Sequence, residues 1–243
     1  MPIDTINKCS STSMYRNIAI RNFQLNLTRQ ILSPYISNLR KQRSSSTKHI
    51  IYLCILKSTY PSMGKCVYVD NSNVWIEGKY HSAVAKGMVA DVYEAHDNKI
   101  CDMPWAYDFG KLLDIVCCGD ISDIKRAVLY GSRPTDNDSL WNAAKKAGFE
   151  VFTPTRNAKN KEKRVDTGFD KEVLKDLYTG VIEPDDEIIL VVGDSDHYPV
   201  AEAIIEEGKR YTLAFWDNAS ELMKADSENF ISLNSHIKDL ECK

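Results

Sequence analysis

Residues 187–215 read EIILVVGDSDHYPVAEAIIEEGKRYTLAF, and this stretch decides the fold class. Two short apolar runs, 187–192 and 210–215, flank a segment at 198–207 whose apolar residues recur at helical spacing. Gly208 follows that segment, at the cap position where the left-handed conformation favours glycine. A strand, a helix and a second strand in this order predict a parallel β-α-β unit.

The same alternation extends over the chain on both sides of this unit. Further predicted strands are 66–70, 126–130 and 149–153, with a weak sixth near 230–233, and further predicted helices are 82–95, 106–117, 138–147, 168–179 and 218–225. Short apolar strands separated by amphipathic helices are typical of a parallel sheet that is covered on both faces. We therefore predict an α/β fold, with a mainly parallel central sheet.

The first 62 residues differ from the rest in composition. Residues 1–62 hold nine of the 31 Lys and Arg but one of the 34 Asp and Glu, so the remainder carries a net charge of −11. We predict a basic, Ser- and Arg-rich, poorly ordered extension at 1–62 and a folded domain at 63–243. An acidic domain argues against a generally basic nucleic-acid surface, so contact with nucleic acid requires a local patch.

The cysteine pattern and the apolar runs predict an intracellular protein without a membrane span. The seven cysteines form no C-x-x-C pair, and no apolar stretch reaches the roughly 18 residues that a span needs. We expect a cytoplasmic location, or a mitochondrial one if residues 1–62 act as a transit peptide, which their composition resembles. A homodimer is compatible with the sequence.

Polar side chains follow several of the predicted strands. Ligands of open parallel sheets bind beyond the carboxyl ends of the strands. The residues at these ends are Asp70 and Asn73 after the first strand, Ser132 and Arg133 after the second, and Asp194 and Asp196 after the run 187–192. Crowded carboxylates repel each other unless a cation lies between them, and carboxylate oxygens are the ligands that Mg²⁺ and Mn²⁺ prefer. The sequence thus predicts a metal site at this edge, although Asp196 would also suit a helix cap.

A second acidic segment, KRVDTGFDKEVLKDL at 163–177, follows the third strand. Asp166 and Asp170 lie one helical turn apart and belong to one face, either as ligands or as favourable charges at a helix start. We expect Glu172 and Asp176 to be solvated. The basic residues beside this segment suit a polyanionic substrate, or form a solvated loop: they are Arg156, Lys159, Lys161, Lys163 and Arg164.

Three aromatic residues have two interpretations each. Trp75, Tyr80 and Trp141 are able to stack on nucleic-acid bases, and packing in the core or at its rim is the commoner role for such residues.

Four stretches together resemble the NYN domain, the PIN-like family of metal-dependent ribonucleases that includes the LabA-type and limkain-type proteins. They are VYVDNSNVW (67–75), VLYGSRP (128–134), KRVDTGFDKEVLKDL (163–177) and the segment from 187 to 216. The resemblance spans roughly residues 64–233. It implies a PIN-like, Rossmann-like α/β/α sandwich with an acidic pocket at one edge of the sheet.

The resemblance also implies roles for individual residues. Those expected to hold Mg²⁺ or Mn²⁺ and to serve catalysis are Asp70, Asp166, Asp194 and Asp196, with either Asp170 or Glu172 as a further metal ligand. Those expected to bind substrate are Asn73, Ser132, Arg133, Arg156, Lys163 and Arg164, where Lys163 is the lysine of a Lys-x-x-Asp motif and Arg164 replaces a common glycine.

The predicted function is that of a metal-dependent endoribonuclease that leaves a 5′-phosphate and a 3′-hydroxyl. One alternative is a non-catalytic RNA-binding or regulatory module that keeps the pocket. Another is a haloacid-dehalogenase-like phosphatase with Asp70 as nucleophile. Ser72 argues against the phosphatase, because it stands where that family usually has a second acid.

Overall fold

A computed structural model describes residues 64–132, 139–153 and 165–242 of the chain, without the side chains of 165–167. The predicted extension at 1–62 lies outside these residues. The strands are β1 Lys65–Asp70, β2 Ile124–Tyr130, β3 Glu150–Phe152, β4 Glu187–Val191, β5 Tyr211–Phe215 and β6 Asn229–Ser232. The helices are α1 Asn71–Ala85, α2 Val92–Asp97, α3 Phe109–Val116, α4 Ser139–Lys146, α5 Val165–Thr179, α6 Tyr198–Glu206, α7 Glu221–Asp226 and α8 Ile237–Leu240.

The described strands form one parallel sheet in the order β3-β2-β1-β4-β5-β6. Right-handed crossovers place α1, α3 and α4 on one face of this sheet and α5, α6 and α7 on the other. The contacts between helices agree with this assignment, since α3 contacts α4 on one face and α6 contacts both α5 and α7 on the other. The predicted three-layer α/β fold with a mainly parallel sheet is confirmed.

Burial on both faces explains why the central strands are apolar along their length. All residues of β1 from Cys66 to Asp70 are buried, as are four of the five residues of β4 and all five of β5. A strand covered by helices on both sides exposes neither set of alternating side chains to water.

The helix that follows β1 differs from the prediction. We predicted a helix at 82–95, whereas α1 begins at Asn71, directly after β1, and a separate helix, α2, begins at Val92. The prediction failed because the buried face of α1 is small or polar rather than apolar: it comprises Asn71, Val74, Gly78, His81, Ser82 and Ala83.

A buried ionic network joins α5 to the sheet. Asp176 is fully buried, and its Oδ2 accepts a hydrogen bond of 2.8 Å from the Tyr68 hydroxyl. The Nε of Arg126 lies 2.6 Å from the same oxygen, and an Nη of Arg126 donates to Glu172 Oε1 at 2.6 Å. The expectation that Asp176 and Glu172 are solvated is therefore wrong, because an arginine of β2 reaches under α5 and pairs with both.

Among the described residues, none of the helices has both the length and the apolar character that crossing a membrane demands.

Candidate active site between β1 and β4

The chain changes direction across the sheet between β1 and β4. From β1 the strands run outward to β2 and β3, and the chain then returns to place β4 on the other side of β1. In open α/β sheets the crevice at the carboxyl ends of two such strands is where ligands bind. Val69 pairs with Val191, so Asp70 and the residues after Val191 leave the sheet at the same edge.

Asp70 occupies this crevice and also begins α1. It is only 3% exposed, and its Oδ1 accepts hydrogen bonds from the backbone N–H groups of Ser72 at 2.9 Å and Asn73 at 3.2 Å. One oxygen of the carboxylate therefore caps the helix, which fixes the side chain. Oδ2 remains directed toward the residues that follow β4.

His197 links Asp70 to Asp170. Its Nδ1 lies 2.7 Å from Asp170 Oδ1, and its Nε2 lies 3.4 Å from Asp70 Oδ2. Burial on its own would lower the pKa of His197, but the hydrogen bonds and charges of Asp170 and Asp70 outweigh it and raise the pKa to about 10. The imidazole is thus a cation between two carboxylates that come from different elements.

Asp170 reaches this position because α5 lies close to the end of β2. A Cβ built on Gly168 would lie 2.2 Å from the hydroxyl of Tyr130, so only a residue without a side chain allows this approach. Glu172, the other candidate for the further ligand, pairs with Arg126 instead. Of the two, Asp170 is the residue that joins Asp70 through His197.

Asn73 connects the two sides of the crevice. Its Oδ1 accepts a hydrogen bond of 2.8 Å from the backbone N–H of Gly193, which follows β4. The bond fixes the loop that carries Asp194, a role that differs from the substrate contact expected of Asn73. Asn73 therefore positions the loop that follows β4.

Gly193 has no room for a side chain. A Cβ at this position would lie 1.9 Å from Cε1 of the buried Phe215 ring. Gly193→Ala is expected to lower the free energy of unfolding by about 1–3 kcal/mol, because the ring or the loop must move. Urea denaturation followed by circular dichroism measures the change.

Gly110→Ala is the matched control for this substitution. Gly110 lies within α3, and its built Cβ meets only the Asp108 side chain, at 3.2 Å. Alanine favours a helix by about 1 kcal/mol over glycine, so this variant is expected to be as stable as the parent or more so. Equal stability of the Gly193 and Gly110 variants would contradict the close packing at Gly193.

Asp194 and Asp196 both lie exposed on the loop after β4. Asp194 precedes a short 3₁₀ helix at 195–197, and its Oδ1 accepts from the N–H of Asp196 at 3.1 Å. The alternative role of Asp196 as a helix cap is wrong, because Asp194 caps the 3₁₀ helix. Pro199 lies in the first turn of α6, as its fixed φ favours.

The remaining predicted site residues fall at or beyond the limits of the described chain. Ser132 follows β2 at the same edge as Asp70, since Asp70 pairs with Tyr130. Asp166 lies in the first turn of α5, with its side chain outside the described part. The residues that lie wholly outside it are Arg133, Arg156, Lys159, Lys161, Lys163 and Arg164.

The three aromatic candidates have different environments. Trp141 is 4% exposed and belongs to the core, and Tyr80 stacks on His96 with ring centroids 4.0 Å apart. Trp75 is 38% exposed, on the outer side of α1.

The donor atoms suit a hard divalent cation. Asp70, Asp170 and Asp194 offer carboxylate oxygens, and Mg²⁺ commonly binds one or two carboxylates while it keeps several waters. No group of three or more His, Cys, Asp or Glu side chains within metal-binding reach occurs in the described part of the chain. Within the described residues, two carboxylates, those of Asp70 and Asp170, both contact His197.

Sequence reasoning missed His197. The available signal was its position directly after the Gly-Asp-Ser-Asp sequence, at the end of the strand that carries the acids. A histidine beside such a cluster is a natural counter-ion for carboxylates.

Comparisons with known proteins agree with the fold. The NYN domain model matches residues 67–234 of the chain. A crystal structure of a Vibrio parahaemolyticus protein of unknown function is 18% identical, with a TM-score of 0.53 over 75% of this chain and 99% of that one. No curated protein sequence matches the chain.

The chain belongs to the NYN domain family, within the PIN-like nuclease superfamily, which confirms the resemblance. Family membership supports a nuclease or RNA-related role, and nucleases of this type generally depend on divalent metal ions. The Vibrio protein agrees in fold.

Proposed function

We propose that this protein is a Mg²⁺- or Mn²⁺-dependent endoribonuclease whose site lies between β1 and β4. The observation that carries the proposal is the convergence of Asp70 and Asp170 on His197 at the point where the strand order reverses. Family membership, which supports a nuclease-type hydrolase, favours this activity over that of a phosphatase.

Asp70 and Asp170 would supply the first ligands of the metal ion, and Asp166, Asp194 and Asp196 are further candidates from the sequence. A divalent ion in such a site polarises a phosphoryl oxygen and lowers the pKa of bound water. The chain's own residues prepare the site: the cap to α1 orients Asp70, and His197 orients Asp170. The hydrogen bond from Gly193 to Asn73 holds the loop that presents Asp194 to solvent.

The proposed reaction is hydrolysis of one phosphodiester bond. Water attacks phosphorus, the bond to the 3′ oxygen breaks, and that oxygen takes up a proton. The products are a 5′-phosphate and a 3′-hydroxyl, as the family resemblance implies. Carboxylates near the attacking water, with Asp194 the most exposed of them, accept its proton.

A cleavage assay with the full chain tests this proposal. A mixed-sequence single-stranded RNA is incubated with a titration of Mn²⁺ or Mg²⁺ and with EDTA, and the end groups of the products are determined. Asp194→Asn is expected to slow cleavage about tenfold or more, because it removes a charged ligand while keeping the hydrogen-bond acceptor of the 3₁₀ cap.

Asp114→Asn is the control, since Asp114 is an exposed acid of α3 outside the proposed site. Its rate is expected to equal that of the parent. Binding of the RNA without cleavage at any metal concentration would instead support the non-catalytic RNA-binding alternative. Equal cleavage in EDTA and in Mn²⁺ would exclude a metal-dependent mechanism.

A further inference from the structure

The outer side of α1 carries an aromatic ring beside a cation. Trp75 is 38% exposed, and the Nζ of Lys79, one turn further along the helix, lies 3.8 Å from the centroid of its ring. Tryptophan is enriched at interfaces, because its ring is large and apolar and its N–H is polar.

The ring is held in place by the loop that precedes α3. Its Nε1 donates a hydrogen bond of 3.3 Å to the carbonyl oxygen of Trp105, which is itself buried. The same loop is tied to α1 a second time, because the N–H of Asp102 donates to the carbonyl oxygen of Lys79 at 3.0 Å. A ring fixed in this way loses little conformational entropy when a partner stacks on it.

The neighbouring acids are occupied by other partners. Glu77 accepts hydrogen bonds from Asn218 at 2.7 Å and contacts His96 at 3.0 Å, and Asp102 pairs with Lys86 at 2.6 Å. Among the described residues, the Lys79 ammonium lies over the ring of Trp75 and also interacts electrostatically with Asp102, whose ion-pair partner is Lys86. This surface therefore combines an aromatic face with a positive charge, beside acids that are already bonded to other groups.

The ring and the proposed active site share α1. Trp75 is five residues past Asp70, which corresponds to about 7.5 Å along the helix axis. Side chains of a helix lean toward its amino terminus, so the ring extends toward the end of α1 that Asp70 caps. The distance is of the order of two base steps of a stacked strand.

We propose that Trp75 and Lys79 form a base-stacking subsite that binds single-stranded RNA next to the catalytic crevice. The Lys79 ammonium leaves the indole face to bind a phosphate, and a base stacks on the face that it has left. Every base has a π-face, so stacking of this kind is tolerant of sequence. The choice of RNA as its ligand rests on the proposed function. The subsite would determine how the RNA strand lies relative to Asp70.

Fluorescence anisotropy with a labelled, mixed-sequence single-stranded RNA tests the subsite. The full chain is used with the Asp194→Asn substitution and Mg²⁺, so that the RNA survives the measurement. Trp75→Leu is expected to raise Kd about tenfold, because stacking of one base is lost. Trp75→Phe keeps an aromatic face and is expected to stay within about threefold of the parent, although it lacks the N–H that bonds Trp105.

Two further measurements separate stacking from charge. Lys79→Gln is expected to reduce the slope of log K against log salt concentration by about one, which corresponds to one phosphate contact. RNA binding itself is expected to remain. An oligonucleotide with abasic positions throughout is expected to bind the parent and Trp75→Leu alike. Tyr178→Ala is the matched control, because Tyr178 is 61% exposed in the last turn of α5, which packs on the opposite face of the sheet.

Each outcome decides the proposal. A Kd for Trp75→Leu within twofold of the parent, or an equal loss in Tyr178→Ala, overturns the subsite. Should Trp75→Leu fail to fold by circular dichroism, the parent chain decides the question: weaker binding of abasic RNA than of normal RNA supports stacking, and equal affinity for the two RNAs overturns it.

Cleavage by the parent chain is measured separately. If the parent chain cleaves RNA but Kd does not depend on Trp75, the subsite is wrong and the nuclease proposal stands. If Kd depends on Trp75 but no metal-dependent cleavage occurs, the nuclease proposal is wrong and the subsite stands. A chain that neither binds nor cleaves single-stranded RNA removes both.

Discussion

Asp70→Asn is expected to reduce metal-dependent RNA cleavage at least about a hundredfold. The substitution removes a negative charge from the centre of the crevice, where a ligand to a catalytic ion contributes several kcal/mol to the transition state, and each 1.36 kcal/mol is a factor of ten in rate. The amide oxygen still accepts from the N–H groups of Ser72 and Asn73, since asparagine is as good a helix cap as aspartate. The rate constant of cleavage under saturating Mn²⁺ measures the effect.

The fold of this variant serves as its internal control. Its free energy of unfolding is expected to lie within about 1 kcal/mol of the parent value, as for other substitutions that keep a cap. If Asp70→Asn cleaves RNA as fast as the parent, the crevice between β1 and β4 is not the active site.

Arg126→Met is expected to lower the free energy of unfolding by about 3–5 kcal/mol. The substitution leaves the buried carboxylate of Asp176 with the hydroxyl of Tyr68 as its remaining described partner, close to the charge of Glu172. An unpaired charge that stays buried is costly, whereas the intact pair contributes little beyond avoiding that cost. Equilibrium unfolding in urea, followed by tryptophan fluorescence, measures the loss.

Two comparisons identify the origin of this loss. Arg210→Met removes an ion pair with Glu228 in which both side chains are exposed, and it is expected to cost less than about 1 kcal/mol. Arg126→Met combined with Asp176→Leu removes the buried charge as well, so the double variant is expected to be more stable than Arg126→Met alone. If Arg126→Met costs no more than Arg210→Met, the network does not stabilise the fold.

The regular alternation of apolar strands and helices was sufficient to predict the layers and the direction of the sheet. Each predicted strand has a counterpart within two residues at either end, because strands buried on both faces are apolar throughout. The glycines that end α4, α5 and α6 were also recognisable. Gly148, Gly180 and Gly208 have φ values of 106°, 77° and 69°, which other residues rarely adopt.

The start of α1 escaped prediction for a physical reason. Asn71, Gly78, His81 and Ser82 are buried there because Tyr107, Trp105 and other residues from distant segments pack against them or bond to them. The Tyr107 hydroxyl, for example, donates to Asn71 Oδ1 at 2.7 Å. A hydrophobic period cannot reveal a helix whose buried face consists of polar and small residues that pair with the rest of the fold.

The candidate site was predictable in kind but not in detail. Strand ends place Asp70 and Asp194 at one edge, which follows from any parallel arrangement of β1 and β4. The contact of His197 with both Asp70 and Asp170 depends on the 3₁₀ turn after Asp194 and on how closely α5 approaches β2 at Gly168. Neither is encoded in local spacing, because each depends on packing against another element.

The central position of β1 also has a consequence for protein synthesis. β1 is the first of the described strands to be made, yet one of its edges stays unpaired until β4 is made, after β2, β3 and α5. Until then the nascent chain displays an apolar edge, a situation that favours association with other chains and delays folding. Asp70 consequently acquires its neighbours from β4 and α5 only after both of these elements have been made.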